Sequence, residues 1–253
     1  MKATISDVAK HAGVSTATVS HVINNTRFVS DTTRKKVMDS IEALDYSPNE
    51  MARILKTGKK NLIGFIVPDI SNEYFAALIE EVERIVSRKS YKLIVTNTRE
   101  NEQNELDSIK TLTRGMVDGL LLASTARKFT ALREAVPDDF PVVLVDRTFP
   151  DCTFHSLTIS NHSAVYQGVR EMINRGHRKI GYIAGLQHIS TANERLQAYK
   201  TALIDCKIPV RSELICFGDS MHNSASAYVG TLLEHGCSAI AISNNAMAED
   251  VIY

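Results

Sequence analysis

Along the first fifty residues, hydrophobic positions recur at helical spacing in three short runs separated by cap-forming residues. Ile5, Val8, Ala9 and Ala12 share one face of a first helix; Thr4 is its N-cap, and Asp7 three positions later can bond back to the Thr4 amide. Gly13 suits the left-handed residue that ends this helix, Val14 tucks under the corner, and Ser15 caps a second helix reaching Asn25. Val19, Val22 and Ile23 must face the core, which turns Thr16, Ala17, Ser20 and His21 outward. A third helix opens at Ser30, turns Val37, Ile41 and Leu44 inward, and stops at Ser47-Pro48. The spacing predicts a helix-turn-helix closed by a third helix. Its outward face of small polar groups at a helix N-terminus can enter a DNA major groove; from the pattern alone, a helical hairpin with a solvated face is the alternative. Residues 49 to 56 favour helix by composition but span only about two turns, so they should fold only against something.

Beyond Lys60 the pattern changes to apolar strands alternating with amphipathic helices. Strands are expected at 61–68, 92–97, 119–123 and 141–146, with helices at 74–89 and 102–114. Near residue 160 the pattern restarts: 155–159, 180–184, 213–217 and 238–243 read as strands, and 161–175, 191–206 and 222–235 as helices. Repeated strand-helix units imply parallel sheets covered on both faces, and two such lobes place a ligand cleft at their strand carboxyl ends. The expected architecture is a small all-α helix-turn-helix headpiece (1–48), a hinge helix and linker (49–60), and a two-lobed α/β effector domain. Its N-lobe spans 61–160 and its C-lobe 161–253.

Charge sharpens this division. The 253 residues carry no formal net charge, yet residues 1–60 hold ten Lys or Arg against six Asp or Glu, and the remainder nineteen against twenty-three. A basic arm on a mildly acidic body lets phosphates hold one end, but such charge predicts salt-sensitive, sequence-blind binding, not sequence choice. No apolar run reaches the roughly 18 residues of a membrane span, and the N-terminus reads as a capped amphipathic helix; a cytoplasmic protein is expected. Cys152, Cys206, Cys216 and Cys237 show neither zinc nor redox spacing, which fits free thiols in a reducing compartment. No metal site, cofactor or catalytic residue is expected. An α/β enzyme carrying a DNA-binding domain is disfavoured by the lack of G-x-G-x-x-G, of G-x-x-x-x-G-K-[ST] and of G-x-S-x-G; Thr57-Gly-Lys-Lys lacks the earlier glycine and the preceding strand of a phosphate loop. A pure small-molecule binding module, the other reading, leaves the first sixty residues without a purpose.

The run from Thr4 to Lys56 resembles the headpiece and hinge of the lactose/galactose repressor family of bacterial transcription regulators, and residues 18–29 are especially similar to its purine-repressor subgroup. Most of that family has Arg where this chain has His21. The resemblance implies a dimeric, sequence-specific regulator, expected to be a repressor, on a palindromic double-stranded operator. It implies base-edge contacts from Thr16, Ala17 and His21, and phosphate contacts from Ser15, Thr18, Asn24 and Tyr46. Leu55 becomes the minor-groove wedge with Lys56 beside it, although Leu55 also fits the core of a fourth headpiece helix. A neutral imidazole offers one donor and one acceptor and lacks the bidentate fork of Arg, so operator preference should differ from that of Arg-bearing relatives.

The resemblance continues through the body, in Pro68–Phe75, Gly176–Gly185 and Arg195, and implies two lobes similar to periplasmic sugar-binding proteins that close on a small effector. Tyr74, Phe75, Asp146, Thr191 and Arg195 are the cleft residues it selects, suited to a sugar or purine-like ring through stacking and charge-assisted bonds. Tyr74 and Phe75 also fit a helix core, and Asp146 a loop cap. Residues 244–253 enter a helix and stop, with Asn245 where the family usually has Asp; relatives continue for several tens of residues. The expectation is an incomplete C-lobe, and its alternative consequence is a regulator with impaired effector response.

Overall fold

The computed structural model describes residues 3–47, 58–221 and 225–252. The chain divides into two compact units, Met1–Lys59 and Lys60–Tyr253.

In the first unit, α1 (Ile5–Ala12), α2 (Thr16–Asn24) and α3 (Asp31–Ala43) close on Val8, Ala9, Val19, Val22 and Val37. Val8, Val19 and Val37 are fully buried, and each such side chain contributes about 1.5–3 kcal/mol on leaving water. Local signals set the boundaries. Thr4 and Asp7 form a reciprocal capping box, with the Thr4 amide 2.9 Å from Asp7 Oδ2 and the Asp7 amide 3.3 Å from Thr4 Oγ1. That bonding holds the Asp7 carboxyl below its ordinary value. Gly13 at φ 67° ends α1, which only glycine does at little cost. Buried Ser40 locks α1 to α3: its Oγ donates to the Lys36 carbonyl at 2.7 Å and lies 3.0 Å from His11 Nδ1, so the imidazole is the donor in that second bond.

In the second unit, β1 (Leu62–Val67), β2 (Lys92–Asn97), β3 (Gly119–Leu122), β4 (Val142–Val145) and β5 (His155–Leu157) form a parallel sheet in the order β2-β1-β3-β4-β5. Helices α4 (Glu73–Arg88), α5 (Glu102–Thr113) and α6 (Phe129–Ala135) cover it. A second parallel sheet, in the order β7-β6-β8, is built from β6 (Ile180–Ala184), β7 (Ile215–Phe217) and β8 (Ala239–Ile242). It packs with α7 (Asn161–Asn174), α8 (Ser190–Asp205), α9 (Ser226–Glu234) and α10 (Asn245–Ile252). The α/β architecture expected from the alternation is present, with three differences. Residues 129–135, left unassigned by periodicity, form α6, a helix too short for a repeating stripe whose Phe129 and Leu132 are buried. β5, grouped with the second set of strands, pairs with β4 in the first sheet. The strand expected from Glu213 begins at Ile215, because Ser212–Leu214 winds into one 3-10 turn.

Candidate DNA-reading helix and effector cleft

On the headpiece, Ser15 caps α2: its Oγ accepts the Thr18 amide at 3.1 Å and lies 2.9 Å from Thr18 Oγ1. The two hydroxyls marked for phosphate thus first serve the helix end, where free amides favour anions. Thr16 and Ala17 are exposed and His21 half-buried on the face opposite Val19 and Val22. His21 Nδ1 lies 2.8 Å from Thr26 Oγ1, beyond the left-handed C-cap Asn25. Asn24 is exposed, and its amide donates to the Ser20 carbonyl at 2.9 Å. Tyr46 packs against the headpiece core, leaving it half-buried. Leu55 and Lys56, with the helix expected at 49–56, lie outside the described residues.

In the second unit, all five expected effector residues line one cleft of about 440 Å³, at the carboxyl ends of both sheets, where open parallel sheets place ligands. Asp146 directly follows β4 at φ 68°, and the Arg147 amide closes on the Val145 carbonyl at 2.8 Å. This three-residue turn with a left-handed centre is strained for any side chain but glycine, a conformation found at sites where orientation matters. It sets Asp146 and Arg147 side by side in the cleft lining. Tyr74 donates its hydroxyl to Asp146 Oδ1 at 3.0 Å. Burial, then the Asp146 charge, push the Tyr74 phenol up to about 12. Phe75 lies edge-on to Tyr74 at 5.1 Å and is 6% exposed. Phe75 lines the cleft and also belongs to the core between β1 and α4.

Arg195, on α8, is fixed at two points: Nε donates to Asn161 Oδ1 at 2.7 Å and Nη1 to the Ser243 carbonyl at 2.8 Å. Nη2 takes part in neither of these bonds. Thr191 is buried on the first turn of the same helix.

Sequence reasoning missed Arg147, Glu100 and Asn72 as cleft residues, and marked Asn245 only as a departure from the family's usual Asp. Arg147 forks onto Glu100, Nη1 to Oε2 at 2.9 Å and Nη2 to Oε1 at 2.6 Å, donates to the Ser124 carbonyl at 3.1 Å, and sits 5.8 Å from the Phe75 ring centroid. Both side chains are under 10% exposed. Asn72 and Asn245 exchange amide bonds of 3.2 and 3.1 Å across the cleft mouth, while Asn72 also caps α4 through the Tyr74 amide. The signal available for Arg147 was its place just past an apolar strand, beside an Asp already selected. Among the described residues, no group of three or more His, Cys, Asp or Glu is placed to hold a metal ion, and no helix is long and apolar enough to cross a membrane.

Residues 4–49 match the family described as "Bacterial regulatory proteins, lacI family", and residues 60–253 match "Periplasmic binding proteins and sugar binding domain of LacI family". Catabolite control protein A of Priestia megaterium is 35% identical over 100% of this chain and 77% of its own length. The HTH-type transcriptional repressor PurR of Yersinia pestis bv. Antiqua is 38% identical, over 99% of this chain and 74% of its own. Among solved structures, the lac repressor dimer bound to operator and the anti-inducer ONPF shares the fold with a TM-score of 0.82 at 24% identity, covering 100% of this chain and 77% of that one. A transcriptional regulator CelR–cellobiose complex reaches a TM-score of 0.69 at 25% identity, covering 99% and 76%.

Proposed function

The chain belongs to the lacI family of bacterial regulatory proteins, and from that premise we propose that Thr16, Ala17 and His21 read base edges in the major groove while Ser15, Thr18, Asn24 and Tyr46 hold phosphates. The protein is a DNA-binding transcriptional regulator that acts as a repressor, binding its operator as a dimer under the control of a small-molecule effector. Its relatives are transcriptional regulators, and this chain acts in the cytoplasm by binding, not by catalysis. Leu55 and Lys56 take the minor-groove positions of the hinge.

The observation that carries this reading is the outward face of α2. A helix held from behind by Val19 and Val22 presents small exposed groups on its first turn and one imidazole on its last, a shape a major groove admits. Two such faces in a dimer read a palindrome and supply the interface that one short helix lacks. The body supports effector control by a sugar or purine-like ring, since Tyr74, Phe75, Asp146, Thr191 and Arg195 converge on one cleft. Effector binding shifts the balance between two arrangements of the lobes, and DNA affinity shifts with it.

Selection of full-length protein on a library of random palindromic duplexes, at two salt concentrations, tests the reading. A single enriched palindrome that survives the higher salt is expected; retention of all duplexes alike would overturn it. Thermal-shift screening with sugars and purines then addresses the cleft.

A further inference from the structure

The hydrogen bond between His21 and Thr26 joins a residue on the recognition face to one outside the helix. α2 ends at Asn25 in the left-handed conformation, φ 50° and ψ 39°, which folds the chain back so that Thr26 meets the side chain five positions earlier. That reversal is itself braced from α3: Arg34 Nη2 donates to Asn25 Oδ1 at 2.9 Å, and its Nη1 to the Val22 carbonyl at 3.4 Å. Asn is among the few residues that tolerate this conformation, and a side-chain bond from a neighbouring helix removes its freedom to leave.

An imidazole on an exposed helix face otherwise samples several rotamers and both neutral tautomers, and each lost state weakens its power to choose a base. Fixing Nδ1 fixes the ring plane. Where the Thr26 hydroxyl donates to Nδ1, the single ring proton resides on Nε2, which becomes a donor; where Nδ1–H donates to Thr26 Oγ1 instead, Nε2 is left an acceptor. In the major groove, guanine presents two acceptors, N7 and O6, whereas cytosine presents a donor.

We propose that Thr26 is a positioning residue for base recognition, bonded to His21 Nδ1 so that Nε2–H is offered to a purine acceptor, with Arg34 and Asn25 holding the reversal that makes the bond. The inference rests on the reading of α2 as a recognition helix. Arg34 therefore acts on base choice from α3 without touching a base.

The test uses the full chain and the palindrome it enriches, with single base-pair changes in each half-site. His21→Ala identifies the base pair whose discrimination depends on the imidazole. At that pair, wild type is expected to discriminate about tenfold, Thr26→Val to fall below about threefold, and Thr26→Ser to restore the wild-type ratio. Binding to a scrambled duplex should stay unchanged in all three, as should the thermal midpoint, because Thr26 is exposed. Replacing the contacted guanine by 7-deazaguanine should mimic Thr26→Val. Discrimination that survives Thr26→Val, or indifference to 7-deazaguanine together with sensitivity to N4-methylation of cytosine, overturns the proposal while leaving DNA reading intact. Failure to enrich any palindrome sinks the functional reading itself, so the two failures are distinct.

Discussion

Replacing Arg147 by Met should destabilise the effector unit far more than its place at a cleft lining suggests. The guanidinium is 9% exposed and its partner Glu100 8% exposed, joined by a two-bond fork at 2.9 and 2.6 Å. Removing the cation strands a buried carboxylate with the Asp146 carboxylate close by, and such breakage costs about 3–5 kcal/mol. It also forfeits the bond to the Ser124 carbonyl, about 1 kcal/mol, and the stacking on Phe75. Glu100→Gln should cost less, about 2 kcal/mol, since Asp146 Oδ2 remains 3.8 Å from Arg147 Nε as a partial counter-charge. The double variant leaves neither member of the pair buried and charged, so its loss should fall short of the summed single losses by about 2 kcal/mol. Urea unfolding followed by far-ultraviolet circular dichroism measures all three. In a thermal melt of a unit of this size, about 4 kcal/mol corresponds to a midpoint drop of roughly 8–16 °C. Losses that add to within about 0.5 kcal/mol would refute the reasoning, because they would mean the two charges are not coupled.

Three further outcomes follow from the same geometry. Glu105 is fully buried and accepts from Ser124 Oγ at 2.7 Å and from Thr125 Oγ1 at 2.5 Å, yet burial dominates and raises its carboxyl above the ordinary value. The native state therefore holds its proton over a pH range where the unfolded chain has lost it. Stability should fall as pH rises from the unfolded value through the raised one, and Glu105→Gln should flatten that fall in urea midpoints taken between about pH 4 and pH 8. Val19→Ala empties part of a headpiece core that has few members, and should cost about 2 kcal/mol, seen as an earlier loss of helical signal and weaker DNA retention. Tyr74→Phe removes the side-chain hydroxyl that donates to Asp146, should cost about 1–2 kcal/mol in urea, and should delete a tyrosine that ionises near 12 from an alkaline absorbance titration.

The headpiece was legible almost residue by residue, because its helices are set by local rules. Thr4, Gly13 and Ser15 each do what their chemistry dictates within four residues of themselves. The α/β alternation was legible for the same reason, being a matter of period. Membership of a sheet was not: β5 pairs with β4 through long-range backbone bonds that three exposed residues, His155, Ser156 and Leu157, do not encode in their pattern. In the cleft, the family likeness selected side chains that converge, Tyr74, Asp146 and Arg195 among them, but not what holds them. Arg147, Glu100 and Asn161 are polar residues buried by tertiary pairing, and a single sequence carries no periodic mark for a charge whose partner lies 47 positions away. The His21–Thr26 bond escaped for a related reason, since it depends on the conformation of one residue, Asn25.

The claim on which everything else depends is that the exposed face of α2 chooses among base sequences. Its most direct test is the ratio of dissociation constants for the enriched palindrome and a scrambled duplex of equal length, measured for wild type and for the Thr16→Ala/His21→Ala double variant across a salt series. The account predicts a wild-type ratio of at least about a thousandfold. For the variant it predicts a ratio cut by at least tenfold, roughly 1.4 kcal/mol, with the salt slope of scrambled-duplex binding unchanged because no phosphate contact has been touched. A variant that keeps the full wild-type ratio contradicts it.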